Sequence, residues 1–225
     1  MVDCAHHVTQ RGNHRGVVFD SDEDCEVYLD LVKENASNCH VSILGYSLMP
    51  NHVHWIVTPH KEDSLATAFG RAHHRYSNYF QAKRRTTGHL WQNRFFSCPL
   101  SVDQLVRAMR YVEQNPVRAD LAREAGVYRW SSARAHLEGR DQWGMLDLRA
   151  WEAICGAEEW RDLLKWVPDS REWEELERCT FGGKPLGGEA FRREISLKSG
   201  RDLTLRGRGR PKKPMDAPLA KMVNC

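Results

Sequence analysis

The sequence predicts an α+β fold, an antiparallel sheet with helices on one face, and three observations predict it. Short β-rich segments bounded by turn residues recur at His6–Gly12, His40–Leu48 and His52–Val57. Helical apolar stripes separate them at Ser21–Asn38 and Ser64–Lys83. With a further short aromatic strand at Leu90–Pro99, the order becomes β-α-β-β-α-β, that of a ferredoxin-like layer.

Each element has a local reason. The first strand, His6–Gly12, closes on the turn residues Arg11, Gly12 and Asn13. Ser21 followed by Asp24 starts the first helix, and Val27, Leu31 and Ala36 form its stripe, with Tyr28 and Val32 beside them. Met49, Pro50 and Asn51 punctuate two β-rich runs, which therefore read as a hairpin. Leu65, Ala68, Phe69, Ala72, Tyr76 and Phe80 lie on or near one face of the second helix. A basic loop, Lys83–Gly88, follows it. Ser101 and Gln104 have capping-box spacing and open a third helix, which Asn115 and Pro116 end. Trp130–Leu137 reads as a short helix, and residues 145–180 as helical. From Ser196 the chain is polar, basic and punctuated by Gly and Pro, the composition of a mobile tail.

The chain has 225 residues, 41% of them apolar, enough to bury a core and too many for wholesale disorder. No run reaches the roughly 20 apolar residues of a membrane span, and the first residues have no apolar signal core. The expected location is cytoplasmic. Seven cysteines without a C-x-x-C pair argue against a zinc knuckle and against a disulfide framework. The net charge of +3 is segregated: +2 over residues 1–140, −5 over 141–195 and +6 over 196–225. A concentrated basic end fits an anionic partner such as nucleic acid, or a solvated tail.

Two stretches carry chemistry. In His52–Val57, alternation puts His52 and His54 on one face and Val53, Trp55 and Val57 on the other. Two imidazoles so placed can share a divalent ion; alone, the pair reads more simply as two histidines on a solvated sheet face. Tyr111 and Asn115 are four apart at a helix end and share a face. A phenol can be a nucleophile and an amide oxygen a ligand; alone, they read as a core aromatic and a helix C-cap. His73 and His74 read as surface or DNA-proximal residues on the second helix.

Taken together, the motifs resemble the HUH-type single-tyrosine transposases, and more closely the REP-associated tyrosine transposases. The resemblance rests on His6–Asn13 (HHVTQRGN), Tyr46–His54 (YSLMPNHVH), Gly88–Phe95 (GHLWQNRF), Arg110 and Tyr111 running into Asn115–Ala119 (NPVRA), and Trp130–Ala133 (WSSA). It implies a ferredoxin-like palm domain with a catalytic helix over residues 1–140, leaving a Trp-rich acidic helical extension over 141–195 and a basic tail over 196–225. It implies His52 and His54 as ligands of Mg²⁺ or Mn²⁺, and Tyr111 as the nucleophile. Asn115 stands where the family has an amide-bearing third ligand, often glutamine, one methylene longer. Asp120 departs from the glycine that commonly follows the Asn-Pro-Val-Arg-Ala stretch.

The activity implied is cleavage and rejoining of single-stranded DNA near hairpins through a 5′-phosphotyrosine. The implied partner is single-stranded or hairpin DNA, with the protein a monomer or a homodimer and nucleoid-associated. Arg11, Asn13, Arg15, Lys83, Arg84, Arg85, Arg94 and Arg118 are candidate phosphate contacts. Trp91 and Phe95 are candidate stacking platforms or core residues. Arg208 and Arg210 lie in an Arg-Gly-Arg-Pro stretch similar to an AT-hook core. Two alternatives stand beside this reading: a catalytically silent hairpin-binding protein of the same family, and a hydrolase in which His52 and His54 activate water.

Overall fold

A computed structural model describes residues 1–165 and 170–203 of the chain. Four strands, β1 (His6–Arg11), β2 (Val41–Met49), β3 (His52–Pro59) and β4 (Phe96–Pro99), form one sheet in the order β2-β3-β1-β4, with every neighbouring pair antiparallel. Helices α1 (Asp22–Asn38) and α2 (Ser64–Arg84) make the β-α-β-β-α-β ferredoxin-like layer that the pattern predicts. Ser21 caps α1 by accepting from Asp24 N.

α1 and α2 pack on one face of the sheet. Val8, Tyr46, Leu48, Val53, Trp55 and Val57 meet Tyr28, Leu29, Phe69, Ala72 and Tyr76 there. The opposite face, which carries His52 and His54, is covered as well. Helix α3 (Val102–Arg118) lies on it. Around α3 stand the short helices α4 (Ala133–Glu138) and α5 (Leu148–Glu152), then α6 (Ala157–Lys165) and α7 (Ser170–Phe181). Leu44, Ile56, Leu105, Met109, Trp151, Trp160 and Trp173 fill this second core. Burial on both faces leaves only Ser42 of β2 partly exposed.

α3 approaches β2 closely at Gly45. A Cβ built there would stand 2.3 Å from Met109 Sδ and 2.9 Å from Ser132 Oγ. The strand register shifts between Ile43 and Gly45, where β2 bulges.

Three expectations differ from what is observed. α3 runs through Asn115 and Pro116 to Arg118. Proline in the last turn forfeits one backbone donor, and Ala119 N→Asn115 O (3.0 Å) still closes the helix. The strand expected from Leu90 begins only at Phe96, because Trp91 leaves the sheet to pack among Tyr28, His73 and Tyr76. Finally, α8 (Glu189–Ser199) extends past Ser196, so the polar segment begins inside a helix. Arg208 and Arg210 lie outside the described residues.

Candidate active site

The antiparallel register of β1 with β3 places His7 opposite Ile56 and Thr9 opposite His54. His52, His54 and His7 emerge on the α3 side of the sheet. His52 and His54 rings stand 4.9 Å apart and nearly perpendicular, and the His7 ring lies parallel to His54, edge to edge, with centroids 5.1 Å apart. Tyr111 brings its ring edge-on to both, 5.4 Å from His54 and 5.8 Å from His7. The phenol and the imidazoles are thus neighbours within one chain, although 57 residues separate His54 from Tyr111. Asn115 sits one turn further on the same helix, buried, and its Nδ2 donates to Tyr111 O at 3.1 Å.

The hydrogen bonds orient the rings. His52 Nδ1 lies 2.6 Å from Asn51 Oδ1, which as an acceptor fixes the proton on Nδ1 and leaves Nε2 with a lone pair. His54 Nδ1 meets His7 Nε2 at 2.9 Å, and His7 Nδ1 meets Thr180 Oγ1 at 2.8 Å. His54 Nε2 is buried and has no hydrogen-bond partner. An orphaned ring nitrogen beside a second imidazole is a donor set suited to a divalent ion, with the other nitrogens already held by neighbours. Among the described residues no group of three His, Cys, Asp or Glu side chains is placed to hold a metal. The donor set brought together here is the pair of imidazoles, short of the closed set of a structural site.

Electrostatics favour neutral ligands. Burial holds His7 at about 3 and His52 at about 4, Arg11 adding to the latter. Burial, then the His52 and His7 rings, hold His54 well below the usual range. The Tyr111 phenol is pushed up, first by burial and then by the Glu177 carboxylate, to which it donates at 2.9 Å. Only 3% of Tyr111 is exposed.

Glu177 belongs to α7, and so do Thr180 on His7 and Trp173, whose ring meets Tyr111 edge-on at 5.6 Å. Arg118 lies over the Trp173 ring at 3.7 Å. The acidic, Trp-rich extension therefore roofs the site. Sequence reasoning missed His7, although strand alternation and antiparallel pairing put it on the His54 face. It missed Glu177, Trp173 and Thr180 because no local pattern ties α7 to the sheet.

The candidate DNA contacts divide. Arg11 sits opposite His52, while Asn13 and Arg15 occupy a single 3-10 turn just beyond β1. Arg85 and Arg94 are exposed. Lys83 instead bonds Asp24 and Glu23 (2.8 and 2.9 Å), and Arg84 pairs with Asp20 and lies over the Phe80 ring. Their charges are matched by the acids at and before the start of α1. Trp91 is buried with Nε1 donating to His73 O, which makes it core. Phe95 packs on Phe69. His73 is also core, bonded to Tyr28 Oη at 2.9 Å, and only His74 is exposed as expected.

The family model for IS200-like transposases matches residues 1–115, just over half of the chain. The chain belongs to the IS200-like transposase family. A solved structure of a REP-associated tyrosine transposase bound to a REP hairpin shares the fold of this IS200-like transposase. Its TM-score is 0.51 at 15% identity, over 75% of this chain and 88% of that one. A putative transposase from Deinococcus radiodurans aligns with TM-score 0.38 at 16% identity, over 54% of this chain and 87% of that one. No curated protein matches this transposase by sequence. The matched region ends at Asn115, so α4 to α8, including the roof over Tyr111, lie beyond it. Among the described residues no helix is long and apolar enough to cross a membrane.

Proposed function

We propose that this IS200-like transposase is of the REP-associated type. In this reading it cuts single-stranded DNA beside a hairpin, with Tyr111 as the nucleophile and His52 and His54 as ligands of Mg²⁺ or Mn²⁺. The observation that carries the proposal is the juxtaposition in one chain of the Tyr111 phenol, two neutral imidazoles and an orphaned His54 Nε2. The solved relative's REP hairpin supports a hairpin partner.

The chain's residues divide the work. His52 and His54, oriented by Asn51 and His7, would hold the ion, with the Asn115 oxygen as third protein donor. When bound, the ion supplies Lewis acidity to a non-bridging phosphate oxygen. The phenol oxygen attacks phosphorus, the bond from phosphorus to the 3′ oxygen breaks, and the 5′ phosphate stays on Tyr111. The phenolic proton passes to Glu177, to which the hydroxyl already donates, and the departing 3′ oxygen takes its proton from solvent. Because the phosphodiester energy is kept in the tyrosyl linkage, a 3′-OH can reverse the step without ATP. Arg11, Asn13, Arg15, Arg85 and Arg94 are the proposed phosphate contacts. Arg118 could join them, although it already lies over Trp173.

One observation favours a second reading, hairpin binding without chemistry: the phenol is buried under α7 with its proton engaged. Incubation of the protein with hairpin-bearing single strands and Mg²⁺ or Mn²⁺ separates the two. Strand transfer predicts a protein–DNA adduct that survives denaturant, is lost with EDTA, and is lost in His54→Ala. Silent binding predicts salt-sensitive complexes and no adduct with any metal.

A further inference from the structure

Behind α3, on the side away from the histidines, a carboxylate is fully buried. Glu113 lies between Tyr111 and Asn115 in sequence and has no exposed surface. At 100° per residue it points about 200° away from Tyr111, to the far side of the helix. Three groups from separate parts of the chain meet it there. The Ser132 hydroxyl donates to Oε1, and Trp160 Nε1 donates to Oε2 at 2.8 Å. His136 Nδ1 lies 2.7 Å from Oε1, while its Nε2 meets Leu44 O at 2.9 Å.

These partners are themselves fixed. Ser132 Oγ accepts from Tyr46 N (2.9 Å), and Ser132 N donates to Tyr46 O (3.0 Å), which ties the cluster to β2. The His136 ring stacks on Trp151 at 4.9 Å, and Trp151 meets Trp160 edge-on at the same distance. The Trp-rich extension and the Trp130–Ala133 motif thus converge on one acid of the helix that bears Tyr111.

A buried charge is a poor way to stabilise a helix. Desolvation offsets most of what the partners return, and an apolar residue of similar volume is often as good or better. An acid in the second half of a helix also opposes the macrodipole. What the carboxylate supplies is direction. Two donors, from a strand-tied loop and from α6, with the His136 ring of α4 packed against the same carboxylate, resist rotation or sliding of α3, and the ring on its other side must meet His54 within ångströms.

We infer that Glu113 is the positioning residue of this site, holding α3 in the rotation that presents Tyr111 to His52 and His54. The inference deepens the strand-transfer reading and rests on it for its catalytic consequence. Its geometric content stands separately.

The test uses the full-length protein labelled with 3-fluorotyrosine, the Tyr111 resonance being identified by its loss in Tyr111→Phe. In Glu113→Gln the ¹⁹F resonance of Tyr111 is expected to shift or broaden. Hairpin affinity stays within about twofold, and adduct formation at saturating DNA slows roughly 10- to 100-fold, the scale of a small misplacement. An unchanged resonance with an unchanged rate overturns the inference. If Glu113→Gln does not fold, Ser132→Ala and Trp160→Phe, which keep the carboxylate and remove one donor each, decide instead. A shifted resonance in either supports the positioning role, and wild-type spectra and rates in both overturn it. If the wild-type protein forms no adduct under any metal, the strand-transfer reading fails and the ¹⁹F comparison alone decides the geometric claim.

Discussion

Tyr111 and Glu177 are 66 residues apart in sequence and joined by one hydrogen bond. Burial raises the phenol first and Glu177 raises it further, so removing the charge relieves only the second part. Glu177→Gln is therefore expected to lower the Tyr111 titration midpoint, followed by the fluorotyrosine shift against pH; a midpoint that stays put contradicts the assigned cause. Local rules, strand alternation and helical i, i+4 spacing, put His52 with His54 and Tyr111 with Asn115, and the family resemblance is what joined the two pairs. The sequence was silent on Glu177 and Thr180, which reach the site only through the packing of α7. It left Trp91 open between core and stacking, misplaced His73, and could not foresee the ion pairs of Lys83 and Arg84, for a related reason. Aromatic and basic residues near a loop look available until the core and the α1 acids claim them.

Among the elements, the contact of α3 with β2 governs the site's shape. Gly45 leaves space for Met109 and Ser132, so Gly45→Ala must displace one of them. Overpacking of this kind costs about 1–3 kcal/mol, measurable by denaturant unfolding at constant m-value. Stability equal to wild type would mean that α3 is not pressed against the strand. Trp160 is fully buried, and Trp160→Ala removes both a large ring and a donor to Glu113, for an expected loss of about 3–5 kcal/mol. The elements of the ferredoxin-like layer were legible because their periodicities are clean and Ser21 caps where a cap belongs. The extension was legible only as helical, since α5 and α6 bury tryptophans against α3 at spacings that no single helix repeats.

For the whole molecule, acid is the expected weakness. His6, His7 and His73 are buried and His52 is half-buried, and all four are held at about 3 to 4. In the unfolded chain each takes a proton near pH 6.5. Above that pH neither state is protonated and these groups add no pH dependence. Between about 6.5 and the folded values the unfolded state binds more protons, so stability falls as pH falls, by about 1.4 kcal/mol per unit per histidine. Urea unfolding between pH 7 and 5 is expected to show a steep loss of stability, and a flat profile would contradict neutral burial of these rings. The burial of both sheet faces is what makes the molecule so exposed to this effect, because it takes His7 and His54 out of water together.

The most direct measurement identifies the residue that carries DNA after reaction. The protein is incubated with a hairpin-bearing single strand and Mn²⁺ or Mg²⁺, denatured, digested with nuclease and trypsin, and its linked peptides are sequenced by mass spectrometry. The account predicts a 5′-phosphonucleotide on Tyr111 in the peptide Tyr111–Arg118. A nucleotide on any other residue, or cleaved DNA with Tyr111 unmodified throughout, would contradict it.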